Sequence, residues 1–570
     1  MNCKKIMCGV LAAITILSFA GCAGQNGTNG TNGTNGTTEP SASASQDGSD
    51  AVLSDMFTSR DIEVGYDENT DTVITLADGK SLCKNTSVKI SGDNITLTQE
   101  GTYIFKGTLS DGSITVDAEK SAKLHIVFAG VSISKSTTAA FYVKQADKVF
   151  VTLAPGTENT LSNTGEFTAI DDNNIDSCIF SKDDITFNGS GSLNVTSENG
   201  HGIVSKDTLC FTGGTYTVNA ERHALSAKDD IRVMDGTFDL TSVSKDGLNA
   251  DNDEDETLGF IYIENGEFTI SAGDDGMHAG SSLRILGGNI TVTKSYEGLE
   301  GNTVEISGGT ISVKASDDGI NAAGGTASAN DPMATDENAY VRISGGSVTV
   351  DADGDGIDSN GALYVLGGTV TVFGPTSGGD GALDYGERAT AKISGGTVFA
   401  FGSASMAENF NAAENQGAAL VSLSGNAGDT VTLSSSDGEK LASASPTKKY
   451  ECVVVSCTGM SENGSYTLTN GTTDKTFTLS GLLYGESGMG MGGGMGGFGG
   501  KDNGRQPFGE MPTNENGEVE MPGGGQGMPD GERREPPTDE NGNMQKPSGG
   551  NAADGNGQNA SNGSSQTASA

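Results

Sequence analysis

The feature that most constrains this chain is a four-residue phrase returning between residues 199 and 385: an acid, a glycine, an aliphatic residue and often another oxygen-bearing side chain. It stands as Asp246-Gly247-Leu248-Asn249, Asp275-Gly276-Met277-His278, Glu297-Gly298-Leu299-Glu300, Asp318-Gly319-Ile320-Asn321 and Asp355-Gly356-Ile357-Asp358. Each copy is followed by a glycine pair and a β-favouring run, as in Gly287-Gly288-Asn289-Ile290-Thr291-Val292-Thr293. The second glycine of the pair, or its equivalent, falls at 191, 214, 236, 266, 288, 309, 346, 368 and 396. Most steps are 21 to 23 residues, and three carry extra residues, so a repeating unit with loop insertions is expected. Leucine-rich repeats share this length, but their leucine-asparagine signature and helical segments are absent. Three short strands separated by tight corners fit the unit, stacked about 4.8 Å apart from coil to coil.

That reading predicts an all-β chain whose regular part is a parallel β-helix. The two larger insertions, Asp251 to Glu256 and Gly324 to Asn338, are expected as surface loops at one corner of it. Earlier, residues 60 to 165 alternate apolar and polar positions with glycine punctuation, as in Leu124-His125-Ile126-Val127-Phe128, and predict irregular first coils. After about residue 415 the glycine pairs stop while strand patterns continue, which predicts a small β cap over the open end of the helix.

The ends have a different composition. Lys4 and Lys5, an apolar stretch from Ile6 to Phe19 and Ala20-Gly21-Cys22 form an export signal with a lipidation site at Cys22. Asn-Gly-Thr then repeats four times, a tether spanning about 30 Å. The segment from Glu486 is rich in Gly, Met, Pro and Asn, and is expected to be disordered. The expected division is therefore 1–21 signal peptide, 22–55 tether, 56–180 N-terminal cap and irregular coils, 181–402 regular helix, 403–485 C-terminal cap and 486–570 tail. Of the cysteines that remain after processing, Cys178 and Cys210 are expected as small buried hydrophobes; Cys452 and Cys457 are close enough in sequence to pair.

The chain carries 75 acids against 33 lysines and arginines, a formal charge of −42, which disfavours nucleic acid as a partner and favours cations. Aligning the repeats stacks the acids in columns. Carboxylates at strand spacing repel unless solvated or bridged, and calcium, with 6 to 8 oxygen ligands, suits an irregular set. The expected ligands are Asp246, Asn249, Asp275, Glu297, Glu300, Asp318, Asn321, Asp355, Asp358, Asp380 and Asp384, together with Asp251 and Asp253 of the acidic insertion. Asp380 joins if its copy carries one extra residue. His201 and His223 stand in the acid column and His278 beside it; they are expected as corner residues, set too far apart for one zinc ion.

These phrases, with Thr98-Gln99-Glu100-Gly101-Thr102-Tyr103, Gly107-Thr108-Leu109-Ser110-Asp111-Gly112, Leu153 to Leu161 and Ser181-Lys182-Asp183-Asp184, closely resemble a family of calcium-binding parallel β-helix proteins from anaerobic Gram-positive bacteria. These are the carbohydrate-binding domain-containing proteins, whose characterised type binds polygalacturonic acid. The resemblance spans roughly residues 85 to 400 and implies a right-handed, pectate-lyase-like solenoid, bound Ca2+ and an extracellular, membrane-anchored lipoprotein that binds acidic polysaccharide. It agrees with the absence of tryptophan, the platform on which modules for neutral sugars commonly rely. A monomer without catalytic residues is the expectation. The alternatives are a calcium-dependent pectate lyase, with Arg222, Lys245 or Lys294 as base, and a structural surface protein in which calcium serves only stability.

Overall fold

The computed structural model describes residues 56–169, 175–323 and 335–485. They contain 41 strands and no helix. The chain divides into two compact units at Gly492, and every described residue belongs to the first. The signal, Cys22, the tether and the tail lie outside the described residues.

One coil shows how the repeat is built. Thr310–Ala315 makes the first strand, the Asp318-Gly319 phrase turns the corner, and Ile320–Ala322 makes a short second strand. Tyr340–Ile343 makes the third, and Gly345-Gly346 leads into the next coil. Each strand pairs in parallel with its equivalent: Ile311 with Val348, Ile320 with Ile357 and Tyr340 with Ala362. Thirty-seven strands join in this way into one mostly parallel sheet wound into a solenoid. The Asp251 insertion follows the second strand Leu248–Ala250, whereas residues 324–334 of the other insertion lie outside the described residues.

The period of two along each strand decides what is inside. Ile311, Val313, Ile320, Val341 and Ile343 point inward and are at most 1% exposed, while Thr310, Ser312 and Lys314 point out. Burying each aliphatic side chain contributes about 1.5–3 kcal/mol, and the contribution recurs every coil. Aromatic residues stack along the same axis, Phe238 on Phe268 at 4.5 Å and Tyr216 on Phe238 at 5.1 Å. The second glycine of the pair needs its residue type: Gly346 has φ +81°, and a Cβ there would lie 2.8 Å from the Gly308 main chain.

Two segments depart from the coil pattern. Residues around Phe57 to Glu63 run as a strap across the outer face of the third strands. Asp61, 2% exposed, pairs with Lys148 at 2.9 Å and accepts from Thr186 at 2.6 Å. Its carbonyl accepts from Asn188 and Thr212, and the carbonyl of Met56 accepts from Arg232. At the other end Cys452–Ser456 pairs antiparallel with Thr397–Gly402, and four strands between Val431 and Thr478 form a separate antiparallel sheet. Lys448 ties this region to the coils through Asp351 at 2.8 Å and Asp353 at 2.9 Å. Cys178, Cys210, Cys452 and Cys457 are all buried and free.

Candidate metal site

The acid of the repeated phrase sits at the corner between the first and second strands. Here the backbone turns, and the amide of the acid itself has no ladder partner in its own strand. The structure supplies one from the previous coil. The N–H of Asp275 donates to Asp246 Oδ1 at 3.1 Å, that of Glu297 to Asp275 Oδ1 at 3.1 Å and that of Asp355 to Asp318 Oδ1 at 2.7 Å. Each of these carboxylates is thereby locked by one oxygen; the other oxygen of Asp246 meets Asn249 and His223, and that of Asp275 meets His278. The glycine that follows packs under the column: a Cβ on Gly319 would come within 2.1 Å of Val350 Cγ1 and 2.6 Å of the Gly356 carbonyl.

The second column stands on the outer face of the second strands. Ser226, Asn249, His278, Glu300, Asn321 and Asp358 are in register from coil to coil. An isolated bridge from Ile357 to Leu383 continues the register toward Asp384. The amide groups tie the two columns together, Asn249 Nδ2 to Asp246 at 3.2 Å and Asn321 Nδ2 to Glu297 at 2.8 Å.

Three expected members stand elsewhere. Asp251 and Asp253 are exposed on the insertion beyond the second strand, at the opposite corner from the acid column. At the last coil Gly381 takes the column position and its N–H donates to Asp355, so Asp380 is displaced by one residue and exposed. The extra residue shifts Asp380 out of register, although its charge still reaches Asp318 and Asp384.

Histidines of the chain itself occupy the early part of the ladder. His201 and His223 lie on neighbouring coils with rings stacked at 4.9 Å, the separation of adjacent coils, so these two are not set far apart as expected. His201 reaches Asp176 at 3.5 Å. His223 Nδ1 lies 3.2 Å from the Asp246 backbone nitrogen, whose N–H it accepts, and 3.1 Å from Asp246 Oδ2, to which it could only donate, so the two contacts exclude one another at that nitrogen. Burial raises the Asp246 carboxyl, but the His223 contact outweighs it and holds the group below its ordinary range. His278 lies against both Asp275 and Glu300. Burial opposes its charge, and the two acids overcome that and push it up to about 11. Asp275, His278 and Glu300 offer ligand atoms within 4.8 Å of one another, as do Asp246, Asp274 and Asp275.

The later coils have acids without such partners. Burial, then the charges of Glu300, Asp275 and Asp318, pushes Glu297 up to about 8 despite its bond from Asn321. Burial and neighbouring acids push Asp355 up to about 8, Asp358 to about 7 and Asp318 to about 6. Glu408 joins this group from beyond the regular repeat: burial, Asp384 and Asp358 push it up to about 7, and its Oε2 is buried without a hydrogen-bond partner. Asn321 Oδ1, on a residue 6% exposed, is also buried and unpartnered. Such atoms are costly unless something donates to or coordinates them. The set is all oxygen, mixes carboxylates with an amide carbonyl and suits a hard divalent cation such as calcium.

The candidate bases are engaged or exposed. Arg222 pairs with Asp176 at 3.0 Å and Lys245 with Asp274 at 3.2 Å, and Lys294 faces solvent.

Fold and corner chemistry together define an all-β repeat solenoid with a carboxylate ladder. A family model described as "Carbohydrate-binding domain-containing protein" matches residues 91–331 and 283–438, more than half of the chain. A carbohydrate-binding domain-containing protein of Acetivibrio thermocellus is 31% identical over 208 residues, 36% of this chain and 72% of that protein. The chain belongs to this carbohydrate-binding domain-containing family. It is also similar to the solved structure of a polysaccharide lyase-like protein from C. thermocellum, a gadolinium derivative, at 24% identity and TM-score 0.37, covering 55% of this chain and all of that one.

Proposed function

We propose that this protein is a non-catalytic cell-surface module that binds acidic polysaccharide through calcium held on the acid ladder. The observation that carries the reading is the buried, unpartnered Asn321 Oδ1 among carboxylates pushed toward neutral pH. An apolar or solvated corner would not keep an acceptor oxygen buried beside Glu297 and Asp358. A divalent cation would satisfy that oxygen and offset the repulsion among the acids. The same cation would let a chain of charge −42 hold a sugar that is itself anionic.

Calcium is placed on the later coils, with Glu297, Asp318, Asn321, Asp355, Asp358, Asp384 and Glu408 as the ligand pool. At the earlier coils His278, charged between Asp275 and Glu300, already supplies positive charge to the acids, and His223 contacts Asp246. The solenoid is taken as right-handed, the hand that parallel strand crossovers adopt. Export and anchoring through Cys22 complete the reading and place the solenoid outside the cell.

Electrophoresis of the purified protein through polygalacturonate gels, with calcium or with chelator, tests it. Retardation that requires calcium, with no ultraviolet-absorbing unsaturated product, is expected. Product formation would make the protein a lyase, and equal mobility with and without the polymer would leave only a structural role.

A further inference from the structure

We propose that the outer face of the third strands, from Arg284 to Lys392, is the surface on which a carboxylate-bearing glycan lies, its chain running along the solenoid axis. This rests on the reading above and names the place of contact. In register, one coil after another, that face presents Arg232, Tyr262, Arg284, Glu305, Arg342, Tyr364 and Lys392. The described residues hold six arginines in all, and three of them stand in this one column. Arg232 is paired with Asp230 and Lys392 with Glu414, while Arg284 and Arg342 share the single acid Glu305, a local excess of positive charge in a chain with more than twice as many acids as bases.

The column is covered at one end and open at the other. The strap takes Arg232 through the Met56 carbonyl and lays Phe57 6.3 Å from the Tyr262 ring, leaving Tyr262 only 8% exposed. Beyond it the side chains of Arg284 and Arg342 are 44% and 42% exposed. Their orientation is fixed in advance. Glu305 accepts from Arg342 at 2.9 Å and from the Tyr340 hydroxyl at 2.8 Å, and its other oxygen lies 3.4 Å from Arg284. The Arg342 guanidinium lies over the Tyr340 ring at 4.7 Å and 5.8 Å from that of Tyr364.

A guanidinium has five N–H donors in a rigid fork, and Glu305 engages Arg342 through a single nitrogen. Donors not used by Glu305 are available for a carboxylate, and planar bidentate recognition is what arginine does better than lysine. Successive coils rise about 4.8 Å, so outward groups repeat along the axis at close to the spacing of sugar rings in an extended glycan. Tyr364 offers a ring face and a hydroxyl between the charges, and Tyr340 holds Glu305 and Arg342 in place. Glu300 of the second column and Glu305 of this face lie on the single strand Leu299–Ile306, so the outer faces of the second and third strands meet around one shallow corner.

Arg342→Gln, Arg342→Lys and Tyr364→Ala, made in the full chain, test the proposal by affinity electrophoresis in polygalacturonate and in a neutral cellulosic glucan. Calcium titration and thermal midpoint run alongside. Arg342→Gln and Tyr364→Ala should each weaken polygalacturonate binding at least tenfold while calcium uptake and midpoint stay as in the parent, and Arg342→Lys should recover only part of the loss. Parent-like retention of both variants would overturn the stripe and leave calcium-dependent binding elsewhere on the molecule. Retention of the parent by the neutral glucan alone would overturn the carboxylate as the group recognised. Failure of the parent to bind either polymer would instead defeat the carbohydrate reading itself.

Discussion

Gly319 shows how narrowly the repeated phrase is specified, because its backbone needs no left-handed conformation and yet the position admits no side chain. A methyl group there would meet Val350 and the Gly356 carbonyl of the next coil. Gly319→Ala is expected to cost about 1–3 kcal/mol, the range for overpacking a filled interior, read from the midpoint of urea denaturation; an unchanged midpoint would mean that the coils are looser than described. Asp61 makes the opposite case, an acid used for structure and not for ions. Burial raises its carboxyl, but Lys148, Thr186 and the Thr58 amide outweigh that and hold it below the ordinary carboxylate range. With the folded value depressed, the strap's stabilisation is present above the unfolded pKa and is lost as pH falls through the folded one. Asp61→Asn is expected to remove about 3 kcal/mol of docking energy at neutral pH by leaving Lys148 buried without its partner. Hydrogen exchange should then rise at Phe57 to Glu63 alone, and unaltered protection there would contradict the assignment.

At the scale of the corner and its strands, the ladder behaves as one element whose charge is not balanced by the chain. Glu297, Asp318, Asp355 and Asp358 all stand above their ordinary values, burial first and mutual repulsion second. In chelator the folded state therefore binds more protons than the unfolded one, and stability should fall as pH rises from about 5 to about 8. Calcium takes the deprotonated ligands, so its stabilisation should grow over the same interval. Melting curves at several pH values, with calcium and with chelator, should diverge toward alkaline pH. Parallel curves would show that the acids are merely solvated. How far this element could be read in the sequence follows from its register. The offsets from the glycine pairs bring Asn249, His278, Glu300, Asn321 and Asp358 into one column because an unbroken period keeps every coil in phase. Asp380 falls out because one added residue moves Gly381 into its place. Glu408 could not be found that way at all, since it follows the last glycine pair and reaches the cluster through the fold.

For the whole molecule, the period announced a β solenoid, and its strands and insertions follow from corners and alternation within about 22 residues. Contacts at long separation were not legible. The strap joins Asp61 to Thr186 across 125 residues, and no local pattern marks it. The arginine and tyrosine stripe is likewise scattered one residue per coil, visible only once the register is known. On the proposed reading, cation ladder and stripe together would make one side of the acidic solenoid a surface for an anionic polymer. The claim at its centre is that the later coils hold calcium. Titration calorimetry of the chelator-stripped protein with calcium, against Asn321→Ala and the pair Asp355→Asn with Glu408→Gln, addresses it most directly. The account predicts saturable binding by the parent, weakened at least tenfold in both variants; no calcium uptake by the parent, or equal affinity in all three proteins, would contradict it.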